Sequence, residues 1–233
     1  MNVPDGFIPL WQCFIYAILM LISWIFTLKW LVGSLLKLKK EESNFTKLIK
    51  YIILVLFLMA FTFILQAFVI PVPYGVGISL IGAAIITIIL RSPWGAVLVM
   101  TPVLLTQWLL FGYGGLTTMG VNIINSGVVA GLTGFYVFRL TKPLDKILRT
   151  LLGGFFAGFL SLFFASLAVS VEFWLAGTFP LAKGIMWMGM YSSMIGILEG
   201  IMTMIVCIIL LVLKSQAKKS RINKKVTPNV IET

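Results

Sequence analysis

The chain has 233 residues, of which 60% are hydrophobic and 11% are charged, and its mean hydropathy is +1.08. A water-soluble domain is excluded, because too little polar surface remains to face water. The net charge of +11 sits between apolar runs, which favours membrane topology and contact with anionic lipid over nucleic-acid binding. The runs are too long and uniform for barrel strands, so we predict an all-α polytopic membrane protein.

The chain opens with a polar stretch, residues 1–12, that is unsuited to begin a helix. Pro4 fixes one backbone dihedral and lacks an amide donor, and Gly6 permits positive φ. Asp5 places a negative charge near the amine of Met1, and the absence of early lysine or arginine argues against a signal peptide. We predict an irregular plug in the bundle, because irregular backbone at membrane depth must be buried by protein or line a cavity.

Seven apolar runs are candidates to cross a bilayer, which takes about 20 residues. The third and fourth are short and are separated only by Arg91-Ser92-Pro93, so they could also form one broken hairpin. The predicted spans are 7–36, 50–70, 76–90, 94–111, 121–138, 148–175 and 184–213. Together they predict a single transmembrane domain, residues 1–213, followed by a basic cytoplasmic tail, residues 214–233, that is expected to be disordered.

Charge alternates between the connecting loops. All of the 18 basic residues except Lys29 and Lys183 lie in one alternating set of loops and the tail, whereas the loops at 71–75 and 112–115 carry none. The positive-inside rule assigns the basic set to the cytoplasm, with the amino terminus outside and the carboxyl terminus inside. The prediction is therefore a multi-pass protein of the cell membrane, in contact with membrane lipid.

Polar side chains inside the apolar spans are costly in lipid and usually face the bundle interior or a cavity. Gln66 lies near the end of the second span and Gln107 in the fourth, while Asn122 and Asn125 share one face of the fifth. For each of these side chains, interhelical hydrogen bonding and a role in a substrate site both remain open.

The last span carries a polar stripe with a carboxylate near its middle. Ser192, Gly196, Glu199 and Thr203 follow one another at steps of four, three and four residues. An ionisable group at this depth favours a function or an essential internal partner for Glu199. The Gly-x-x-x-Gly motif at 154–158 indicates close helix packing, either within the chain or with a partner helix.

Motifs that carry catalytic chemistry are missing from the chain. It has no histidine, and Cys13 and Cys207 both fall inside apolar runs without metal-ligand spacing. No phosphate-binding loop of the Walker type and no nucleophile–base pair can be assigned. We predict a binding or transport protein that is not an enzyme and has no cofactor of its own.

Four stretches carry a resemblance to a known family. They are 1–12 with Pro4-Asp5-Gly6-Phe7, 61–84 with Gln66 and Pro71-Val72-Pro73, 107–129 with Gly114-Gly115-Leu116-Thr117, Asn122 and Asn125, and 195–203 with Gly196, Glu199 and Gly200. In these stretches the chain resembles the CbiM/NikM proteins, the substrate-capture (S) components of energy-coupling-factor (ECF) ABC transporters for cobalt and nickel. That family also has seven spans with the amino terminus outside.

The resemblance implies a metal site at the inserted amino terminus. Its ligand positions are the amine of Met1 and the residues Asn2 and Ser79. The family has histidines at the positions of Asn2 and Ser79 and a further histidine near the position of Ser192, and this chain has replaced all three. Imidazole suits nickel and cobalt, whereas amide and hydroxyl oxygens are weak, hard donors, so these ligands are a departure from the family. The residues expected to support the pocket are Asp5, Gln66, Gln107, Asn122, Asn125, Ser192 and Glu199.

The resemblance also implies a function and partners. The chain would be the S component of an ECF importer for a divalent transition metal ion, with cobalt or nickel as substrate. Its partners would be a transmembrane coupling protein, ATPase subunits and a small accessory membrane protein. Two alternatives stay open: the same importer for a metal chelate or vitamin-like molecule, and a membrane interaction protein that keeps the fold without transport.

Overall fold

The computed structural model describes residues 2–39, 44–72 and 76–226, which form a helical bundle with one short hairpin. The helices are α1 (Leu10–Lys39), α2 (Asn44–Gln66), α3 (Ala83–Leu90), α4 (Trp94–Phe111), α5 (Met119–Ile123), α6 (Ala130–Leu140), α7 (Lys146–Leu148), α8 (Gly154–Leu175) and α9 (Leu181–Val226). Strands β1 (Val69–Val72) and β2 (Val76–Ser79) pair antiparallel, with Val69 opposite Ser79. The π-helical turns Ile124–Val129 and Arg149–Gly153 join α5 to α6 and α7 to α8.

Six continuous helices in the described part of the chain are long and apolar enough to cross a membrane. They are Leu10–Lys37, Phe45–Gln66, Trp94–Phe111, Met119–Leu140, Lys146–Leu175 and Leu181–Ala217. The prediction of about seven transmembrane helices is corrected at the third span. Residues 76–90 form β2, a link and the eight-residue α3, and eight helical residues reach only about 12 Å of the roughly 30 Å that a bilayer core requires.

The broken third span is nevertheless built into the centre of the bundle. Ala83, Ala84, Ile85, Ile86, Thr87 and Leu90 of α3 are all buried. Strand β2 adds about 13 Å, so β2 and α3 together extend about 25 Å before their link is counted. Non-helical backbone at this depth is tolerated because protein surrounds it. By contrast, α1 and α2 expose mostly apolar side chains, as helices that face lipid do.

Helices α8 and α9 form the most extensive helix pair of the described chain, and their approach depends on glycine. A Cβ atom at Gly158 would lie 2.6 Å from the carbonyl oxygen of Glu199, and one at Gly154 would lie 3.0 Å from Cα of Met204. The Gly-x-x-x-Gly motif therefore packs within this chain, which resolves the alternative that the sequence left open.

The basic tail does not begin as a disordered segment. Helix α9 continues without a break to Val226, so the expectation of disorder is wrong for residues 214–226. The physical reason is that Lys, Arg, Ala and Gln are good helix formers, and extending an existing helix avoids the cost of nucleation. Residues 227–233 lie outside the described residues.

Candidate functional site

The segment before α1, residues 2–8, enters the end of the bundle beside strand β2. Asn2 forms an antiparallel bridge with Gly77, and its side-chain Nδ2 donates a hydrogen bond to Oε1 of Gln107 at 3.2 Å. The other amide atom of Asn2, Oδ1, is buried without a hydrogen-bond partner among the described residues. The Asn2 side chain thus keeps one oxygen acceptor that no described residue uses.

Val3 anchors this segment to α5 and to the loop before it. Its N–H donates to Oδ1 of Asn122 at 2.7 Å. Its carbonyl oxygen accepts from the hydroxyl of Thr118 at 2.6 Å and from Nδ2 of Asn122 at 3.2 Å. Val3 is fully buried, and these side chains provide the hydrogen-bond partners that its backbone N–H and carbonyl groups need in the absence of water. Thr118 was missed by the sequence reasoning, although it directly follows the glycine-rich stretch that was singled out.

Asp5 holds the loop that connects α4 to α5. Its carboxylate accepts from the N–H groups of Leu116 at 3.1 Å, Thr117 at 3.0 Å and Thr118 at 3.3 Å, and from the hydroxyl of Thr117. Gly115 is required here, because a Cβ atom at this position would overlap the Asp5 carboxylate. Partial burial raises the pKa of Asp5, but the hydrogen bonds outweigh it and hold the pKa below its ordinary value of 3.8.

Glu199 and Gln66 fix the link between β2 and α3. The two carboxylate oxygens of Glu199 accept from the N–H groups of Ile81 at 2.9 Å and Gly82 at 2.6 Å. Gln66 donates to the carbonyl oxygen of Ile81 at 3.4 Å and to Sδ of Met100 at 3.2 Å. Gly82 has a φ of 74°, a conformation that glycine adopts without strain. These contacts set the position of β2 relative to the rest of the bundle.

Ser79 and Ser192 are both buried but lie in different surroundings. Ser79 ends β2, two residues after the Gly77 that bridges Asn2, so the two positions share one side of the strand. Ser192 donates to the carbonyl oxygen of Gly189 in its own helix at 3.2 Å. Ser79 thus lies two residues along β2 from the position that pairs with Asn2, whereas the hydroxyl of Ser192 is occupied within α9.

Asn125 belongs to a second buried polar cluster. Its Nδ2 donates to Oε2 of Glu172 at 2.7 Å, the Tyr16 hydroxyl also hydrogen-bonds this carboxylate, and Gln12 donates to the Glu172 carbonyl oxygen at 3.0 Å. Glu172 lies inside the predicted sixth span, 148–175, but it was not singled out from the sequence. Its place in an apolar run was the available signal. Asn125 itself lies in the π-helical turn Ile124–Val129.

Oxygen atoms dominate the donors that the site offers. No group of three or more His, Cys, Asp or Glu side chains in the described parts of the chain is arranged to hold a metal ion. The Oδ1 atom of Asn2 and the Oε1 atom of Gln66 are buried and have no hydrogen-bond partner there. Neutral amide oxygens are hard donors, and they bind nickel less well than imidazole does.

This fold and site define a multi-pass membrane protein with an inserted, hydrogen-bonded amino-terminal segment. The CbiM family, described as the cobalt uptake substrate-specific transmembrane region, matches residues 2–217, and the chain belongs to this family. Its members include cobalt and nickel transport proteins, and metal transport is the class of function that the family establishes.

Individual relatives agree with this assignment. The chain is 30% identical to the cobalt transport protein CbiM of Acetoanaerobium sticklandii, over 88% of this chain and 82% of that protein. It is 28% identical to the fused nickel transport protein NikMN of Rhodobacter capsulatus, over 74% of this chain but 47% of that longer protein. A crystal structure of a truncated transition metal transporter superposes with a TM-score of 0.77 at 26% identity, covering 91% of this chain and 98% of the other.

Proposed function

We propose that the chain is the substrate-capture component of an ECF ABC importer for a divalent transition metal ion, with cobalt or nickel as substrate. The observation that supports this most is the inserted segment 2–8, which is locked by Gln107, Asn122 and the loop bonded to Asp5. A segment that only led into a helix would have no need of nine hydrogen bonds to Gln107, residues 116–118, Asn122 and Thr178.

The proposed ligands lie where this segment meets β2. They are the amine of Met1, which lies outside the described residues, together with Asn2 and Ser79. Asn2 supports this role with a buried, unpartnered oxygen, and Ser79 lies on the same side of β2 as the bridge to Asn2. With oxygen donors in place of imidazole, we expect a weaker site for nickel than a histidine-containing one.

Pocket support is proposed for the residues that hold these ligands in place. Gln107 and Asn122 bind the segment directly, and Asp5 ties it to the α4–α5 loop. Glu199 and Gln66 hold the β2–α3 link two residues beyond Ser79. Such hydrogen bonds keep a site in one geometry before the substrate binds.

The transport step is proposed by analogy with the family. The ion enters from outside, the loops after α2 and α4 close over it, and the protein reorients in the membrane. A transmembrane coupling protein, ATPase subunits and a small accessory membrane protein would be the partners. The segment 2–8 is bonded both to β2 and to the α4–α5 loop, and this favours a small ion over a metal chelate or vitamin-like molecule.

Metal binding to purified protein tests the proposal. The protein is prepared in detergent with its native amino terminus, and Co, Ni, Zn, Fe and Mn are titrated separately and counted by elemental analysis. A second preparation carries one extra residue before Met1, and a third, as the matched control, carries one extra residue after Thr233. We expect one ion per chain, lost only with the amino-terminal extension.

A folded sample that binds no ion would contradict a metal-ion substrate. Binding of a chelate or an organic ligand by the same sample would then support the alternative importer. A sample that binds none of these would support a membrane protein that keeps the fold without transport. Binding that survives the amino-terminal extension would retain the metal substrate but remove the amine from the site.

A further inference from the structure

A large cavity opens at the end of the bundle where α3 and α6 finish and α7 begins. Its volume is about 1060 Å³, and α9 closes one side of it between Cys207 and Lys219. This is the end of the molecule that carries the basic loops. It is separate from the site of the inserted segment, which contacts β2 and the α4–α5 loop.

Six cationic side chains line this cavity: Arg91, Arg139, Lys146, Arg149, Lys214 and Lys219. None of them is in an ion pair with any carboxylate of the described residues. The nearest acidic residue in sequence, Asp145, accepts from the N–H of Leu148 at 2.7 Å instead. Like charges that have no counterion among the described residues repel one another, so the cavity attracts an anion.

One cation is partly enclosed in a way that leaves a donor unused. The Nε atom of Arg149 is buried and has no hydrogen-bond partner in the described structure. The guanidinium carbon of Arg149 lies 4.7 Å from the centre of the Phe138 ring, which holds the side chain at the cavity wall. A guanidinium group in this position suits a phosphate oxygen, which it binds through paired N–H donors.

Most of the remaining cavity wall is apolar, with hydroxyl groups only from Thr87, Thr150 and Ser215 among its described lining. Ile88, Phe135, Phe138, Ile147, Leu210 and Leu211 contribute to it. A free phosphate ion would gain nothing from such a surface, and it would fill only a small part of the volume. A molecule with an anionic head and a hydrocarbon chain matches both halves of the lining.

We propose that this cavity binds one anionic phospholipid of the cytoplasmic leaflet. The phosphate lies among the cations, and an acyl chain lies along the apolar wall. The positive-inside rule assigns this end of the bundle to the cytoplasm, where anionic lipids supply the ligand. The lipid neutralises the repelling charges and joins α3, α6 and α9, independently of which substrate the protein captures.

Native mass spectrometry of delipidated protein tests the proposal. The probes are dioleoyl phosphatidylglycerol, dioleoyl phosphatidylcholine and sn-glycerol 3-phosphate. The cavity variant combines Arg139→Gln, Arg149→Gln and Lys214→Gln. The matched control combines Lys37→Gln, Lys50→Gln and Lys142→Gln, which removes the same charge from the same end of the bundle outside the cavity.

We expect one tightly bound phosphatidylglycerol per chain. The cavity variant should weaken it by roughly a hundredfold, because each cation near the membrane surface contributes about 1 kcal/mol. The control should retain the tight lipid. A third variant, Leu210→Trp, narrows the apolar wall without changing charge and should also weaken the lipid. Thermal unfolding in phosphatidylcholine checks that each variant is folded. If the triple variant shows no unfolding transition, the lipid affinity of Leu210→Trp decides the result.

Three results would overturn the proposal. Equal binding of phosphatidylcholine would show that the cavity does not select an anion. Full displacement of the lipid by glycerol 3-phosphate would assign the site to a soluble phosphate. If the wild-type chain bound no phosphatidylglycerol tightly, the cavity would not be a lipid site, and an acidic surface of a partner protein would become the ligand to test.

Discussion

At the scale of single residues, the carboxylate of Glu199 shows how an ionisable group is accommodated in a membrane span. Both oxygens accept backbone N–H groups that would otherwise be buried without partners at the start of α3. An anion is also favoured at the amino end of a helix. Glu199 is therefore the internal partner of the β2–α3 link and holds β2 in position.

Replacing Glu199 by Gln should lower the thermal stability of the protein in detergent. The Gln side chain has one acceptor, and its NH₂ group would face one of the two amide donors, which leaves that donor unsatisfied at a cost of about 1–3 kcal/mol. Thr203→Val is the control, because it removes only a hydrogen bond within α9. Equal melting temperatures for Glu199→Gln and wild type would contradict the anchoring role.

Asp5→Asn should destabilise the protein at neutral pH by about 1–2 kcal/mol, since an exposed carboxylate with several amide donors is replaced by a weaker acceptor. The pKa of Asp5 is lowered in the folded protein, so its stabilisation is complete above the ordinary value of 3.8 and is lost as the pH falls through the folded pKa. Melting temperatures at pH 7 and pH 3 check this. A difference from wild type that persists unchanged at pH 3 would contradict it.

Two substitutions should rebuild a stronger nickel site. Asn2→His combined with Ser79→His supplies imidazole at the two proposed ligand positions, and we expect nickel affinity to rise on the order of tenfold or more. Asn2→Gln with Ser79→Thr is the control, because it alters the same positions without imidazole. Calorimetric titration gives the affinities. A well-folded double-histidine variant with unchanged affinity would exclude these positions from the site.

The partners of single residues were less predictable from sequence than the residues themselves. The stripe on the last span pointed to Glu199, but the amides that it binds lie 117 and 118 residues away. No local periodicity encodes such a pairing. The spacing of Asn122 and Asn125 on one helix face also pointed to Asn125. Its partner Glu172 lies 47 residues further along the chain, and the two meet because α8 packs against the π-helical turn.

At the scale of secondary-structure elements, hydropathy predicted most helices well because it adds up over 20 residues. It failed for residues 76–90, where a short apolar run suits a buried strand as well as a helix. Two contacts decide the outcome: the pairing of β2 with β1, which lies just before it in the chain, and the anchor from Glu199, which is distant in sequence. Hydropathy also ended the last helix too early, at residue 213, because the residues that follow are polar. They still have high helix propensity, and α9 continues to Val226.

The close pairing of α8 and α9 leads to a test with an internal control. Gly158→Ala places a methyl group 2.6 Å from the Glu199 carbonyl oxygen, and overpacking of this kind costs about 1–3 kcal/mol. Gly189→Ala in α9 meets no atom within 4 Å and should be neutral or slightly stabilising. Thermal unfolding in detergent compares them. If both variants behaved alike, close α8–α9 contact would not be needed for stability.

At the scale of the whole molecule, the number of membrane crossings depends on residues 76–90. The charge pattern predicts that the amino terminus is outside and the carboxyl terminus is inside, and this orientation needs an odd number of crossings. Six helices alone would leave both ends on one side. We therefore expect the strand and short helix to supply the seventh crossing, shielded from lipid by α4, α6, α8 and α9.

Cysteine accessibility decides between these topologies. In a background with Cys13→Ala and Cys207→Ala, a single cysteine is placed at Phe68, at Leu116 or at Lys142, all of which are exposed. If 76–90 cross the membrane, a membrane-impermeant maleimide added to intact cells labels the first two positions and not the third, because 68 and 116 are separated by two crossings. If this segment turns back, only α4 separates 68 from 116, and the two positions label from opposite sides. Permeabilised cells provide the control, since all three cysteines should then react.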